Sequence, residues 1–297
     1  MSTPSASFKD YINLHFVVFL WGFTAILGKL ITVTADVMVL YRTLLAAAGM
    51  GALMIFRKES FSVARPDLFK LFVTGAIVSA HWLTFFFSVK LSNPSTALVG
   101  FATCSLWAAL LEPIVKGKKI QFIEVLLGVV VVIGLYVIFS FDFQHPFGLF
   151  LGILSGVTVA IFGVLNSLFV KRMTPTTITF YEMVGACITT ALFIGLTQNT
   201  NDINSLIPSA MDWFWIAILA FACSVYAYAV SIELMKRLSV FFIQLTLNLE
   251  PVYGIILALL IFGESEVMGW SFYLGTVIIL SAVMLYPVLK ASQQKTE

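Results

Sequence analysis

The sequence predicts an all-α polytopic membrane protein of ten transmembrane helices, built as two inverted five-helix repeats with both termini cytoplasmic. Three observations predict it: a composition too apolar for water, ten apolar segments whose connections alternate in charge, and matches between the two halves. Of the 297 residues, 60% are hydrophobic and 11% charged, whereas a soluble domain carries about 25% charge. Mean hydropathy is +1.00. A fold in water needs polar residues over its outside, and this chain has too few, so lipid is its solvent. The net charge of +2 gives no reason to expect a nucleic-acid partner.

A helix needs about 20 apolar residues to cross a bilayer. Ten segments qualify, at roughly 12–32, 37–56, 67–88, 94–115, 121–140, 146–170, 175–197, 209–232, 238–262 and 267–289. The polar stretch before the first reads as a short tail and not a cleaved signal peptide. Breakers mark the short connections: Arg65-Pro66-Asp67, Asn93-Pro94, His145-Pro146, Thr174-Pro175 and the stretch Gln198 to Pro208. Arg57, Lys58 and Arg65, then Lys116, Lys118 and Lys119, then Lys171 and Arg172, then Lys236 and Arg237 fall in the even connections. The odd ones carry Asp36, Asp142, Asp202, Asp212, Glu264 and Glu266, with Lys90 the clear basic residue among them. Cytoplasmic loops are the basic ones, which puts both termini inside. Trp213, Trp215 and Trp270 fall where an outer aromatic belt belongs.

The halves match in order. Lys90-Leu91-Ser92 recurs as Arg237-Leu238-Ser239, and Leu127-Gly128 as Leu274-Gly275, each 147 positions later. Tyr41-Arg42 aligns with Tyr181-Glu182, and Ala25-Ile26-Leu27-Gly28 with Ala160-Ile161-Phe162-Gly163. The repeats are expected at residues 1–145 (helices one to five) and 146–297 (helices six to ten). Because five is odd, the second copy enters the membrane from the opposite side. Inverted repeats recur in secondary transporters, with the solute site between the halves.

Three stretches carry a family resemblance: Leu20-Trp21-Gly22, Lys90 through Ala97, and Leu249-Glu250-Pro251-Val252 with Leu260-Ile261-Phe262-Gly263-Glu264. With the ten-helix pattern they resemble the drug/metabolite transporter superfamily in its ten-helix, two-repeat EamA form. The resemblance implies alternating-access transport of small organic solutes, often export of amino acids or related metabolites. It also implies a cavity lined by helices one, three, four, six, eight and nine, with five and ten in packing or dimer contacts. The first repeat departs from the pattern: Cys104-Ser105 stands near its expected mid-helix proline, and Glu112-Pro113 lies close to a helix end.

Charge at membrane depth costs about 2.5–3.5 kcal/mol on insertion scales, so each buried ionisable group needs a role. Glu112 with Lys116, and Glu233 with Arg237, have the favourable four-residue spacing; Lys29 and Glu124 lie at helix ends. Glu250, before Pro251 in helix nine, and His81 in helix three are the candidates for proton coupling. Arg42 and Glu182, at equivalent repeat positions with opposite charge, are candidates for a structural ion pair or gate. Trp21, His81, Trp107, Asn166, Tyr226, Tyr228, Gln244 and Asn248 are the cavity candidates, an aromatic wall with few hydrogen-bonding groups that suits an amphipathic solute. Gly148, Gly152 and Gly156 make two GxxxG spacings, read as close helix packing. Cys104, Cys187 and Cys223 sit in apolar runs and read as packing residues.

The expected function is secondary transport of an amino acid or similar amphipathic metabolite, as an exporter and with possible proton linkage. A membrane channel and a membrane-embedded receptor or scaffold are the alternatives. No enzyme motif such as HExxH or GxSxG appears, and no cofactor or metal site is expected. The expected partners are the small-molecule substrate and the lipid bilayer, the expected state is monomer or homodimer, and the expected location is a bacterial inner (cytoplasmic) membrane.

Overall fold

The computed structural model describes residues 6–92, 94–139, 145–197, 206–254 and 269–293. Among these, helices are α1 (Phe8–Leu30), α2 (Ala35–Phe56), α3 (Arg65–Leu91), α4 (Pro94–Phe101), α5 (Cys104–Val115), α6 (Phe122–Phe139), α7 (Pro146–Phe169) and α8 (Pro175–Thr197). They continue with α9 (Ala210–Ile218), a π-helical segment (Leu219–Tyr226), α10 (Ala227–Leu234), α11 (Val240–Leu247) and α12 (Trp270–Gln293). No strand occurs among the described residues.

Seven stretches among them are long and apolar enough to cross a bilayer: 35–56, 65–91, 96–115, 146–169, 175–197, 210–234 and 270–290. Of the other expected spans, α1 and α6 cover the first and fifth, and the ninth begins with α11. Its end, with the Leu260–Glu264 motif, lies outside the described residues, as do Asn93, Asp142, residues 198–205 and Glu266. The loop breakers act as expected, since α7 and α8 both open on proline, where a missing N–H costs nothing. Ser209 and Asp212 cap α9 reciprocally, whereas at α1 the Asp10 carboxylate accepts from Ser7 N and Oγ while Asp10 N–H bonds the Ser7 carbonyl.

Two compact units divide the chain. The first comprises Met1–Leu83 and Leu165–Arg237; the second comprises Thr84–Val164 and Leu238–Glu297. Each draws on both halves of the sequence, because matching helices pack on each other. In the first unit α2, carrying Tyr41-Arg42, lies along α8, carrying Tyr181-Glu182. In the second, α6 packs on α12 and α5 on α11.

Two expected single helices are interrupted at corresponding places. The fourth breaks at Ala102-Thr103, between α4 and α5, and the ninth at Asn248-Leu249, after α11. Pro251 explains the second break, since it removes the bond to the carbonyl of Leu247. At the first break hydroxyls take up carbonyls: Thr103 Oγ1 donates to Gly100 O at 2.7 Å and Ser105 Oγ to Ala102 O at 3.4 Å. The interruption therefore persists in the half that lacks the proline.

The GxxxG glycines pack closely, as expected. A Cβ on Gly152 would lie 2.9 Å from Ala97 O, and one on Gly156 would lie 2.9 Å from Phe101 O. Both contacts are to backbone, which cannot move aside as a side chain can.

Candidate functional site

The buried polar groups of the first unit gather around α8 and the π segment. Glu182 is wholly buried. Its Oε2 accepts from Tyr228 OH at 2.7 Å and from Asn166 Nδ2 at 3.2 Å, and Asn166 Nδ2 also donates to Tyr228 OH at 3.1 Å. α8 supplies the carboxyl, the end of α7 the amide, and α10 the phenol. Glu182 Oε1 and Asn166 Oδ1 are buried with no hydrogen-bond partner. The carboxyl thus has neutral donors on one oxygen and none on the other.

Arg42 is equally deep, at 2% exposure, but has other partners. Its Nε donates to Ser224 Oγ at 2.8 Å, and its guanidinium lies 4.2 Å from the centre of the Trp82 ring. Arg42 and Glu182 therefore face separate partners and make no ion pair with each other. His81 stands beside the same indole, ring centroids 6.5 Å apart. Ser79 Oγ and Thr190 Oγ1 share a buried hydrogen bond at 2.7 Å.

The π segment carries the serine that meets Arg42 and directly precedes the helix that carries Tyr228. Adding a residue to a helical turn shifts the phase of everything after it and changes which carbonyls find partners. Trp21 Nε1 donates to Cys223 O in this segment at 2.9 Å, and Cys223 Sγ donates back to Leu20 O at 3.4 Å. Ser224 Oγ, besides accepting from Arg42, donates to Leu219 O five residues back. Tyr226 is 45% exposed and edge-on to Phe16.

In the second unit the deep polar groups are amides. Gln244 Nε2 donates to Val159 O at 3.3 Å, and Asn248 Nδ2 to Ser105 Oγ at 3.3 Å and Gln244 O at 3.0 Å. Both amide oxygens are buried without a partner. Glu250 is buried at 8% exposure. Trp107 is half-buried and donates at 3.1 Å to Oγ1 of Thr103, the residue just before its helix.

Of the residues named from sequence, the structure brings Asn166, Glu182 and Tyr228 together, and separately Gln244 and Asn248. Trp21 and Arg42 both reach the π segment. Glu250 and His81 belong to different units. Ser224, Trp82 and Ser105 were not among the candidate site residues: a serine or tryptophan in an apolar run carries no signal of the partner it meets.

The remaining charges lie at helix ends. Lys116 binds Glu112 at 2.6 Å and Arg237 meets Glu233 at 3.4 Å, the two expected pairs. Arg237 also holds Asp10 at 3.0 Å. Burial would raise the Asp10 carboxyl, but hydrogen bonds from Ser7 and the Arg237 guanidinium outweigh it and hold it below its ordinary range. Asp212 is buried, bonded to Thr32 N and Oγ1, each at 2.7 Å. Cys104, Cys187 and Cys223 are free thiols. Among the described residues no group of three or more His, Cys, Asp or Glu could hold a metal ion.

The fold recurs in a solved structure titled "Crystal structure of protein", with a TM-score of 0.78 over 95% of this chain and 98% of that one, at 15% sequence identity. No curated protein matches the sequence. The model of the EamA-like transporter family matches twice, over residues 10–140 and 146–286. Two matches that together span nearly the whole of a multi-pass, apolar, helical chain identify this protein as a member of the EamA-like transporter family.

Proposed function

We propose that the protein is a proton-linked secondary transporter of a small amphipathic organic solute, an amino acid or a metabolite of similar size, working as an exporter by alternating access. The family supplies the transporter reading, and one observation carries the proton linkage. Glu182 is a buried carboxyl inside a membrane helix, held by neutral donors alone. Among the described residues Tyr228 is the titratable group that hydrogen-bonds it; Arg42, on the α2 helix packed along α8, donates to Ser224 Oγ and lies over the Trp82 ring. A charged carboxylate there bears the full cost of burial. One proton removes that cost, and the unpartnered oxygens of Glu182 and Asn166 are where a proton or a donor group would settle.

Glu182 therefore joins Glu250 and His81 as a coupling candidate and displaces them as the first to test. Tyr228 and Asn166 pass from cavity candidates to residues that position this carboxyl. The cavity candidates Trp21 and Tyr226 of the first unit, and Trp107, Gln244 and Asn248 of the second, combine large apolar rings with few polar groups, a set of side chains that suits an amphipathic solute and not a multiply charged one.

Counterflow in proteoliposomes tests the reading: preloaded unlabelled amino acids should drive transient accumulation of labelled ones. A leak without overshoot would point to a channel, and no flux for any amino acid or amphipathic metabolite would point to a receptor or scaffold.

A further inference from the structure

One end of the second unit carries a cavity that solute transport does not explain. It measures about 330 Å3 and lies where α5 and α12 end and α6 and α11 begin. Lys116, Lys118, Lys119 and Lys290 line it, with Gln121 and Ser239 as further hydrogen-bonding groups. Two carboxylates share the wall, Glu112 and Glu124, and both are already occupied. Glu112 takes Lys116 on one oxygen and the backbone N–H of Phe241 on the other, at 2.6 and 2.9 Å. Glu124 takes the Tyr286 hydroxyl at 2.6 Å, with Lys290 at 3.9 Å.

Those pairings commit Lys116 and Lys290. Lys118 and Lys119 are exposed and make no ion pair among the described residues. They follow a tight turn that only glycine makes easily: Gly117 has φ +64°, and Lys118 N closes onto Pro113 O at 2.7 Å. The turn holds two uncommitted ammonium groups at the mouth of a cavity whose own anions are spoken for. Such a cavity takes an anion. The residues flanking the lining ones favour one source: Ile114, Phe122 and Val288 are 63%, 78% and 64% exposed, an apolar margin that a free anion has no use for and an acyl chain does. Basic pockets at the ends of membrane helices are suited to phosphate-bearing lipid headgroups.

We propose that this cavity binds the phosphate headgroup of an anionic phospholipid through Lys118 and Lys119, with the acyl chains lying along the exposed apolar residues beside it.

The test is thermal unfolding of the purified full-length protein in neutral detergent, titrated with phosphatidylglycerol, phosphatidylcholine or inorganic phosphate. Phosphatidylglycerol should raise Tm saturably, and phosphatidylcholine and inorganic phosphate should not. Lys118→Gln with Lys119→Gln should weaken the phosphatidylglycerol response about thirtyfold, and the two arginine replacements should keep it. An equal rise with inorganic phosphate would overturn the lipid assignment in favour of a soluble phosphate. An equal rise with phosphatidylcholine, or an undiminished response in the glutamine variant, would overturn the site. Neither outcome touches the transport reading, which rests on other residues.

Discussion

In the unit of residues 1–83 and 165–237 two ionisable groups are essentially buried: Arg42, which donates to Ser224, and Glu182, which accepts from Tyr228 and Asn166 on one oxygen and has no partner on the other. In the unit of residues 84–164 and 238–297 the best-connected deep groups are the amides Gln244 and Asn248, while Glu112 and Glu124 are held beside lysines where helices end. Both units are built alike, from helices packed on their sequence counterparts, so architecture does not account for the difference. Close glycine packing does not account for it either, since a Cβ on Gly185 would lie 2.9 Å from Phe72 O in the first unit, just as one on Gly152 would lie 2.9 Å from Ala97 O in the second. What the first unit has besides is the π segment: Ser224 within it accepts from Arg42, and Tyr228 just after it donates to Glu182.

The largest expected effect tests the close packing of the second unit. Gly152→Leu should push side-chain atoms into the backbone of α4 and cost about 1–3 kcal/mol or more, seen as lost folded yield or a lower Tm. Gly195→Ala in the first unit, where an added Cβ meets nothing within 4 Å, should be neutral or stabilising by up to about 1 kcal/mol. Equal losses would mean that the backbone contact at Gly152 carries no special cost.

A matched pair of serines sharpens the charge difference. Ser224→Ala leaves the Arg42 Nε–H without its acceptor and should cost about 1.5–3 kcal/mol, whereas Ser105→Ala loosens a neutral amide and should cost about 0.5–1.5 kcal/mol. Chemical unfolding in mixed micelles would rank them, and a reversed order would break the comparison.

Tyr228→Phe reports on the state of Glu182. If the carboxyl carries a proton at neutral pH, losing this bond costs about 1 kcal/mol; if it is charged, about 1.5–3 kcal/mol. A protonated Glu182, as proposed, gives the smaller loss.

The smallest effect concerns Asp10, whose carboxyl is held below its ordinary range. A carboxyl lowered on folding contributes stability that is present above its unfolded value, about pH 3.9, and is lost as pH falls through the folded one. Asp10→Asn should flatten the acid side of the Tm–pH profile and leave the neutral side nearly unchanged in slope.

Much of the fold was legible in the sequence, because a membrane span announces itself by length and apolarity, and prolines and lysines mark where spans end. The break at Asn248-Leu249 was legible in Pro251. The matching break at Ala102-Thr103 was not, since hydroxyls and not a proline sustain it. The π segment was also hidden: Leu219–Tyr226 has the composition of ordinary helix, and only its packing shows the extra residue. That one feature sets the phase of Tyr228 and the reach of Ser224. So Asn166, Glu182 and Tyr228 could each be named for a polar group at depth, yet their convergence could not be read. Arg42 and Glu182 illustrate the converse, since equivalent places and opposite charge suggested a pair that the side-chain directions do not make.

The central claim is that Glu182 carries the coupled proton, and solute uptake by proteoliposomes under an imposed pH gradient tests it most directly. Glu182→Gln keeps the shape and accepts the Tyr228 bond but cannot ionise. If Glu182 is the proton carrier, this variant retains counterflow exchange and loses its response to the gradient, while Glu250→Gln retains both. A Glu182→Gln protein that still responds fully to the gradient would contradict it.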